Sequence, residues 1–357
     1  MTQLIILGGF LGSGKTTFMV KAAEMLERRG STVSVITNDQ GDTLVDSLYA
    51  AVDGIDTREV SGGCFCCRFP DFLETVKALI ADKTPDFIIA EAVGSCTDLA
   101  ATVINPLVEF HKDTVKVIAY LTLVDGLRLQ KEYLDMDLFK PLEPGEVLIS
   151  HQIRESEVLV MSKTDLLEKD QLASGLSFLK KLNPKALYFL CSSHSGDGLD
   201  LLLDRCLQGF PLDFSQRVPL DYQVYADAEA AYGWYNGSWK MESQIDQDPM
   251  DLSFIIMESF RNPLLGEVAH AKLFITTPGG GLKVSFVSGH IQADEIGLFE
   301  GKVGRMKITL NIRSACVPET IEQHVLELQK SLRDRGLQII DYACNSLIPS
   351  PPKPYYS

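Results

Sequence analysis

Leu4-Ile5-Ile6-Leu7-Gly8-Gly9-Phe10-Leu11-Gly12-Ser13-Gly14-Lys15-Thr16-Thr17 reads as a buried strand, a tight loop and the start of a helix. Gly9 to Thr16 complete the pattern G-x-x-x-x-G-K-[ST], in the strand–loop–helix context that a phosphate loop needs. The helical pattern runs from Thr17 to Arg29, and Gly30 suits the position just past its end. Glycines let successive backbone N–H groups converge on phosphate oxygens, and the helix N-terminus adds positive potential. Gly9, Gly12, Ser13, Gly14, Lys15, Thr16 and Thr17 are therefore expected to hold a nucleoside triphosphate. Lys15 can reach the β- and γ-phosphates, and the Thr16 hydroxyl can ligate Mg²⁺.

Further apolar runs alternate with helical patterns. Thr32 to Thr37 is an expected strand that ends in Asn38-Asp39-Gln40-Gly41-Asp42. Polar loops at the carboxyl ends of strands bind ligands in open α/β sheets. Asp39 and Asp42 are candidates to face Mg²⁺ or a second metal, or to cap a helix. A helix is expected from Phe72 to Ala81, then a strand that ends at Glu91, followed by Gly94 in an E-x-x-G pattern. Glu91 can orient Mg²⁺ or its water, and Gly94 can approach the γ-phosphate. Strands at Val115 to Val124 and Glu157 to Met161 come next. The second leads into Ser162-Lys163-Thr164-Asp165, close to the guanine-reading pattern N-K-x-D with Ser for Asn. Asp165 can accept from the guanine N1 and N2 groups, and the Lys163 stem can cover the base. Strand Leu187 to Leu190 leads into Cys191-Ser192-Ser193, placed like the loop that touches guanine from its other side.

Alternating strands and helices to about Gln208 predict a mainly parallel sheet with helices on both faces. Residues 1–210 are expected to form this α/β phosphate-loop domain, and 210–219 a linker. Residues 220–345 are expected to form a smaller α+β domain. It would have a strand at Leu220 to Ala226, a helix at Asp251 to Arg261 and a hairpin around Pro278-Gly279-Gly280-Gly281. A strand from Met306 to Ile312 and a helix from Pro318 to Arg335 complete it, and 346–357 reads as an extended or disordered proline-rich tail.

Three of the eight cysteines stand together as Cys64-Phe65-Cys66-Cys67. This cluster is too compact to close a four-ligand site by itself, so other ligands must come from elsewhere, with Asp39 and Asp42 as candidates. Soft thiolates favour Zn²⁺, Co²⁺ or Cu⁺ over Mg²⁺. The net charge of −15 disfavours the basic face that nucleic acid wants, and no apolar run is long enough to span a bilayer. The N-terminus carries no signal-peptide pattern, and the cytoplasm is the expected compartment.

In their order, GGFLGSGKTT, NDQGD, SGGCFCC, EAVG, QIRESEVLVMSKTDL and CSSHSGDGL resemble the CobW-like metallochaperone GTPases, relatives of the nickel-insertion GTPases of hydrogenase and urease. The resemblance implies a GTP-hydrolysing enzyme using Mg²⁺, with Lys15, Asp39 and Glu91 as candidate catalytic groups. It implies a transition metal at Cys64, Cys66 and Cys67, with Zn²⁺ or Co²⁺ ahead of Ni²⁺, and hand-off to an apo-metalloprotein or a corrinoid-pathway client. A homodimer is compatible with it; a nucleic-acid or membrane partner is not expected. A rival reading is a GTP-dependent assembly or reactivation factor for a cofactor protein, with structural cysteines. The chain departs from the family pattern in both acids of the NDQGD loop, in Ala92 and Val93, and in Ser162. It also lacks a histidine-rich segment.

Overall fold

Strand β1 (Gln3–Gly8) is buried along nearly its whole length. An uninterrupted apolar strand needs cover on both faces, and a parallel sheet between helices supplies it. In a computed structural model of the chain, which describes residues 1–39, 45–46, 55–137, 140–210, 218–297 and 302–356, β1 lies between β4 (Phe87–Glu91) and β5 (Lys116–Asp125) and runs parallel to both. With β2 (Val33–Asp39), β3 (Asp56–Ser61), β6 (Val158–Ser162) and β7 (Leu187–Leu190), the sheet order is β3-β2-β4-β1-β5-β6-β7, parallel throughout. The carboxyl ends of all these strands therefore share one edge. The helices between them are α1 (Lys15–Arg28), α2 (Phe69–Lys83), α3 (Asn105–Phe110), α4 (Pro144–Glu155), α5 (Lys169–Leu182) and α6 (Leu199–Gln208). Helix α1 starts two residues before the expected Thr17, because Gly14 caps it in a left-handed conformation, with φ of 90°.

Two compact units divide the chain. One comprises Met1–Gln40, Gly54–Glu229 and Pro351–Ser357; the other comprises Gly41–Asp53 and Ala230–Ser350. This division differs from the expected 1–210, 220–345 and 346–357. The expected strand at Leu220 to Ala226 is instead helix α7 (Tyr222–Ala230), almost all of it in the first unit. Asp221 accepts from the amides of Gln223 (2.9 Å) and Val224 (3.3 Å), which starts a helix. The buried positions Tyr225, Ala228 and Glu229 then recur at helical spacing.

The second unit is an antiparallel sheet in the order β11-β10-β9-β12-β8-β13, formed by β8 (Gly233–Gln247), β9 (Val268–Thr277), β10 (Gly280–Val287), β11 (His290–Gly297), β12 (Val303–Ser314) and β13 (Leu337–Leu347). Helices α8 (Pro249–Glu258) and α9 (Pro318–Asp334) contribute Ile256, Val325 and Leu332 to a core with Trp239, Leu273 and Ile308. β9 and β10 form the expected hairpin. Val45 and Asp46 join this unit: the Val45 amide donates to Asn311 Oδ1 (2.9 Å), and Lys272 pairs with Asp46. Among the described residues, no helix is long and apolar enough to cross a membrane.

Candidate functional site: a phosphate loop and a thiol cluster

The loop after β1 is shaped by its glycines. Gly9 has φ of 126°, and a Cβ there would lie 2.2 Å from the Leu123 carbonyl oxygen, so only glycine lets the chain leave the sheet here. Lys15 Nζ folds back to donate to the carbonyls of Gly9 (2.7 Å) and Phe10 (3.3 Å). The Ser13 hydroxyl is buried without a hydrogen-bond partner among the described residues. A buried polar orphan costs stability unless something satisfies it, and a phosphate oxygen would. Parallel pairing sets Leu7 opposite Glu91, and the Thr16 hydroxyl donates to Glu91 Oε1 at 3.0 Å. Hydroxyl and carboxylate are both buried at the start of α1, an arrangement that fits a hard divalent cation. A Cβ on Gly94 would lie 2.9 Å from Leu11 backbone atoms, so the chain after β4 touches the phosphate loop directly.

Two residues brace this loop: Arg128, passed over in the sequence, and Ser162, read there only as a departure from the guanine pattern. Arg128, fully buried, donates to the Leu11 carbonyl (2.9 Å), and its guanidinium lies 5.1 Å from the Phe10 ring centre. The Ser162 hydroxyl donates to the carbonyls of Ser13 (2.7 Å) and Val124 (3.2 Å). The departure from the guanine pattern thus ties the loop after β6 to the phosphate loop. Lys163 Nζ pairs with Asp125 at 2.6 Å. Burial opposes charge on Asp125, but Lys163 and Arg128 hold its carboxyl below the usual range. Asp165 is exposed on the single turn Thr164–Leu166. Pairing of β6 with β7 brings the next loop alongside, where the Cys191 amide donates to the Met161 carbonyl (2.9 Å). Within that loop Ser192 is buried and its hydroxyl accepts from the Ser195 amide, while Ser193 is half-buried.

The cysteine loop follows β3. Cys64 and Cys66 sulfurs are 2.7 Å apart, and Cys66 and Cys67 are 3.8 Å apart. Asn38, at the end of β2, organises this loop. Its Nδ2 donates to the carbonyls of Val60 (2.8 Å) and Gly63 (2.7 Å), and its Oδ1 accepts from the Phe65 amide (3.0 Å). Sequence reading grouped Asn38 with a ligand loop; here it is the clamp. Cys96, counted among the scattered cysteines, lies 3.6 Å from Cys66. The neighbouring Cys66, Cys67 and Cys96 thiols hold the Cys64 thiol well below its ordinary value. Cys67 is pushed up to about 11, chiefly by its contact with Cys64. Three free thiols within 4.8 Å of one another suit a soft or borderline metal ion. The expected proline-rich tail is ordered against this loop. The Tyr355 amide donates to the Cys66 carbonyl (2.8 Å), the Lys353 amide donates to Cys67 Sγ (3.2 Å), and Tyr355 and Tyr356 pack on Phe69.

Residues 91–98 join the two centres. Gln152 of α4 donates to the carbonyls of Gly94 (3.0 Å) and Cys96 (2.9 Å). Ser95 donates to Glu229 (2.5 Å), and Tyr222 donates to Asp98 (2.6 Å), both partners lying on α7. Beneath this segment Asp98, His151 and Glu155 gather within 4.8 Å of one another. Burial holds His151 down at about 4 and pushes Glu155 up to about 8, with Asp98 adding to the latter. Of the candidates read from sequence, the structure brings Thr16 to Glu91, Gly94 to Leu11, and the three clustered cysteines to one another. Asp39 ends β2, but its side chain, like all of Asp42, lies outside the described residues.

The model of the CobW/HypB/UreG nucleotide-binding domain matches residues 3–189, more than half of the chain. The chain belongs to the CobW/HypB/UreG family. This CobW/HypB/UreG chain is 28% identical over 209 residues to "Zinc-regulated GTPase metalloprotein activator 1" of Dictyostelium discoideum, covering 51% of this chain and 44% of that protein. It is 25% identical over 217 residues to "Zinc chaperone YjiA" of Escherichia coli, covering 58% of this chain and 62% of that one. The matches thus span less than two thirds of either relative. A crystal structure of Zn(II)-bound YjiA GTPase from E. coli aligns over 92% of this chain and 98% of its own, with 16% identity and a TM-score of 0.40.

Proposed function

We propose that this chain hydrolyses GTP with Mg²⁺ and couples the nucleotide state to uptake and release of a transition-metal cation, Zn²⁺ or Co²⁺ before Ni²⁺. The cation is cargo for an apo-metalloprotein or a corrinoid-pathway client, and the cytoplasm is the compartment that keeps its thiols reduced. Lys15 and the amides of the phosphate loop bind the β- and γ-phosphates. Thr16 and Glu91 would hold Mg²⁺, which neutralises charge as the terminal phosphoryl group leaves. Lys163, Asp165, Ser192 and Ser193 lie on adjacent loops suited to a guanine base. Asp39, the last residue of β2, and Asp42, three residues on in the sequence, are the further candidates to orient water or share a cation.

One observation carries this reading. The Glu91–Cys96 segment begins at the Thr16 hydroxyl and ends 3.6 Å from the Cys66 sulfur. A γ-phosphate that moves Gly94 therefore moves a neighbour of the thiols, and linkage requires the metal to act back on the nucleotide. The names of the relatives, both tied to zinc, favour that cation. The test measures zinc affinity of the reduced protein with GDP and with a non-hydrolysable GTP analogue. Affinities should differ by roughly 5- to 150-fold, the usual span of such coupling. Equal affinities would remove the coupling. Phosphate release no faster than that of a Lys15→Ala variant would remove the hydrolysis.

A further inference from the structure

We propose that Cys96 is a fourth sulfur ligand, so that the metal is held by Cys64, Cys66, Cys67 and Cys96 together. This rests on the reading that the thiol cluster binds a transition metal. It adds a ligand from a different loop, 30 residues from Cys66 in the chain.

The geometry centres on Cys66. Four sulfurs at about 2.3 Å from a tetrahedral zinc stand about 3.8 Å from each other. The Cys66–Cys67 separation is 3.8 Å and the Cys66–Cys96 separation is 3.6 Å, so two edges of that tetrahedron are already formed. The Cys64–Cys66 contact, at 2.7 Å, must open by about 1 Å, and Cys96, which stands outside the trio gathered within 4.8 Å, must close on it as a cation enters. All four cysteines are free. Cys96 is fully buried and cannot turn to solvent for another partner.

The surroundings hold Cys96 in place. Gln152 fixes its carbonyl, and Ser95, just before it, is tied to Glu229. On the other side of the cluster, the Lys353 amide donates to Cys67 Sγ, an outer contact of the kind that steadies a thiolate ligand. A three-thiolate site keeps an open position for exchange, whereas four thiolates close it. Cys96 lies two residues after Gly94, so withdrawal of this segment would open the site for release of its cargo. Four sulfurs in a tetrahedron also favour Zn²⁺ or Co²⁺ over Ni²⁺.

The experiment is X-ray absorption at the zinc edge on the full, reduced chain loaded with one Zn²⁺ in the presence of GDP. Four sulfur scatterers at about 2.3 Å are expected. Three sulfurs with one nitrogen or oxygen would overturn the role of Cys96 while leaving the metal-binding reading intact. Failure to retain stoichiometric zinc would instead overturn that underlying reading. A parallel Co²⁺ titration should show Cys96→Ser losing about a quarter of the sulfur-to-cobalt charge-transfer absorbance, one thiolate in four. A Cys206→Ser variant, altered at a buried cysteine of α6, should match the wild type. An unchanged cobalt spectrum in a folded Cys96→Ser protein overturns the proposal. The zinc-edge measurement needs no variant and decides the question should that substitution fail to fold.

Discussion

Lys15 and Asn38 do different kinds of work at the two centres. Lys15 occupies its position by donating to loop carbonyls, contacts that a phosphate can take over. Replacing it with alanine should lower the GTP turnover number by about a hundredfold or more, as loss of a charge-stabilising group does, measured as phosphate release at saturating nucleotide. Asn38 makes one hydrogen bond to Val60 of β3 and two to the cysteine loop that follows it, and none of these three reaches the phosphate loop. Asn38→Ala should leave GTP binding near the wild-type value but weaken zinc about 10- to 100-fold, the usual cost of losing a residue that orients ligands. Competition with a chromophoric chelator would measure this. Gly94 is constrained by contact. A methyl group there meets Leu11 backbone at 2.9 Å, and backbone cannot step aside as a flexible side chain can. Gly94→Ala should therefore impair nucleotide binding itself, visible as a raised Kd for a fluorescent GTP analogue.

Among the elements, the C-terminal tail is the clearest departure from its sequence. Prolines at 349, 351, 352 and 354 suppress helix and sheet, which is why the segment reads as unstructured. Its order comes from tertiary contacts instead: two backbone hydrogen bonds to the cysteine loop, and aromatic packing of Tyr355 and Tyr356 on Phe69. Removing residues 351–357 should speed alkylation of Cys67 in the metal-free protein severalfold, while Cys206, buried in α6, reacts at an unchanged rate. Mass spectrometry after a timed iodoacetamide pulse would read both. Helix α7 makes the same point. Its sequence offers Leu220, Tyr222 and Val224 in strand-like alternation, yet Asp221 caps a helix that places Tyr222, Tyr225 and Glu229 against residues 95–98.

For the whole molecule, the buried cluster under that segment links stability to pH. Glu155 faces Asp98, His151, the Tyr120 hydroxyl and the Ala100 amide, and its carboxyl is pushed up to about 8 from an ordinary 4.5. Between these values the folded chain keeps a proton that the unfolded chain has lost, so stability falls as pH rises, by at most about 1.4 kcal/mol per pH unit. His151, held at about 4, acts in the opposite sense below its ordinary 6.5, since there the unfolded chain binds the extra proton. Glu155→Gln removes only the first effect. The thermal midpoint of this variant should therefore gain on the wild type from about pH 4.5 to about 8 and level off above. The sequence by itself determined the parallel sheet, the phosphate loop after β1, the carboxylate after β4 and the cysteine trio, because each is local: apolar runs, glycine spacing and short motifs carry them. Only the tertiary structure decided that Cys96 stands beside Cys66, that Asn38 and Gln152 clamp the two loops, that Arg128 and Ser162 brace the phosphate loop, and that the tail covers Cys67. These pairings join residues far apart in the chain, and no local propensity encodes which buried donor will meet which acceptor once the strands align.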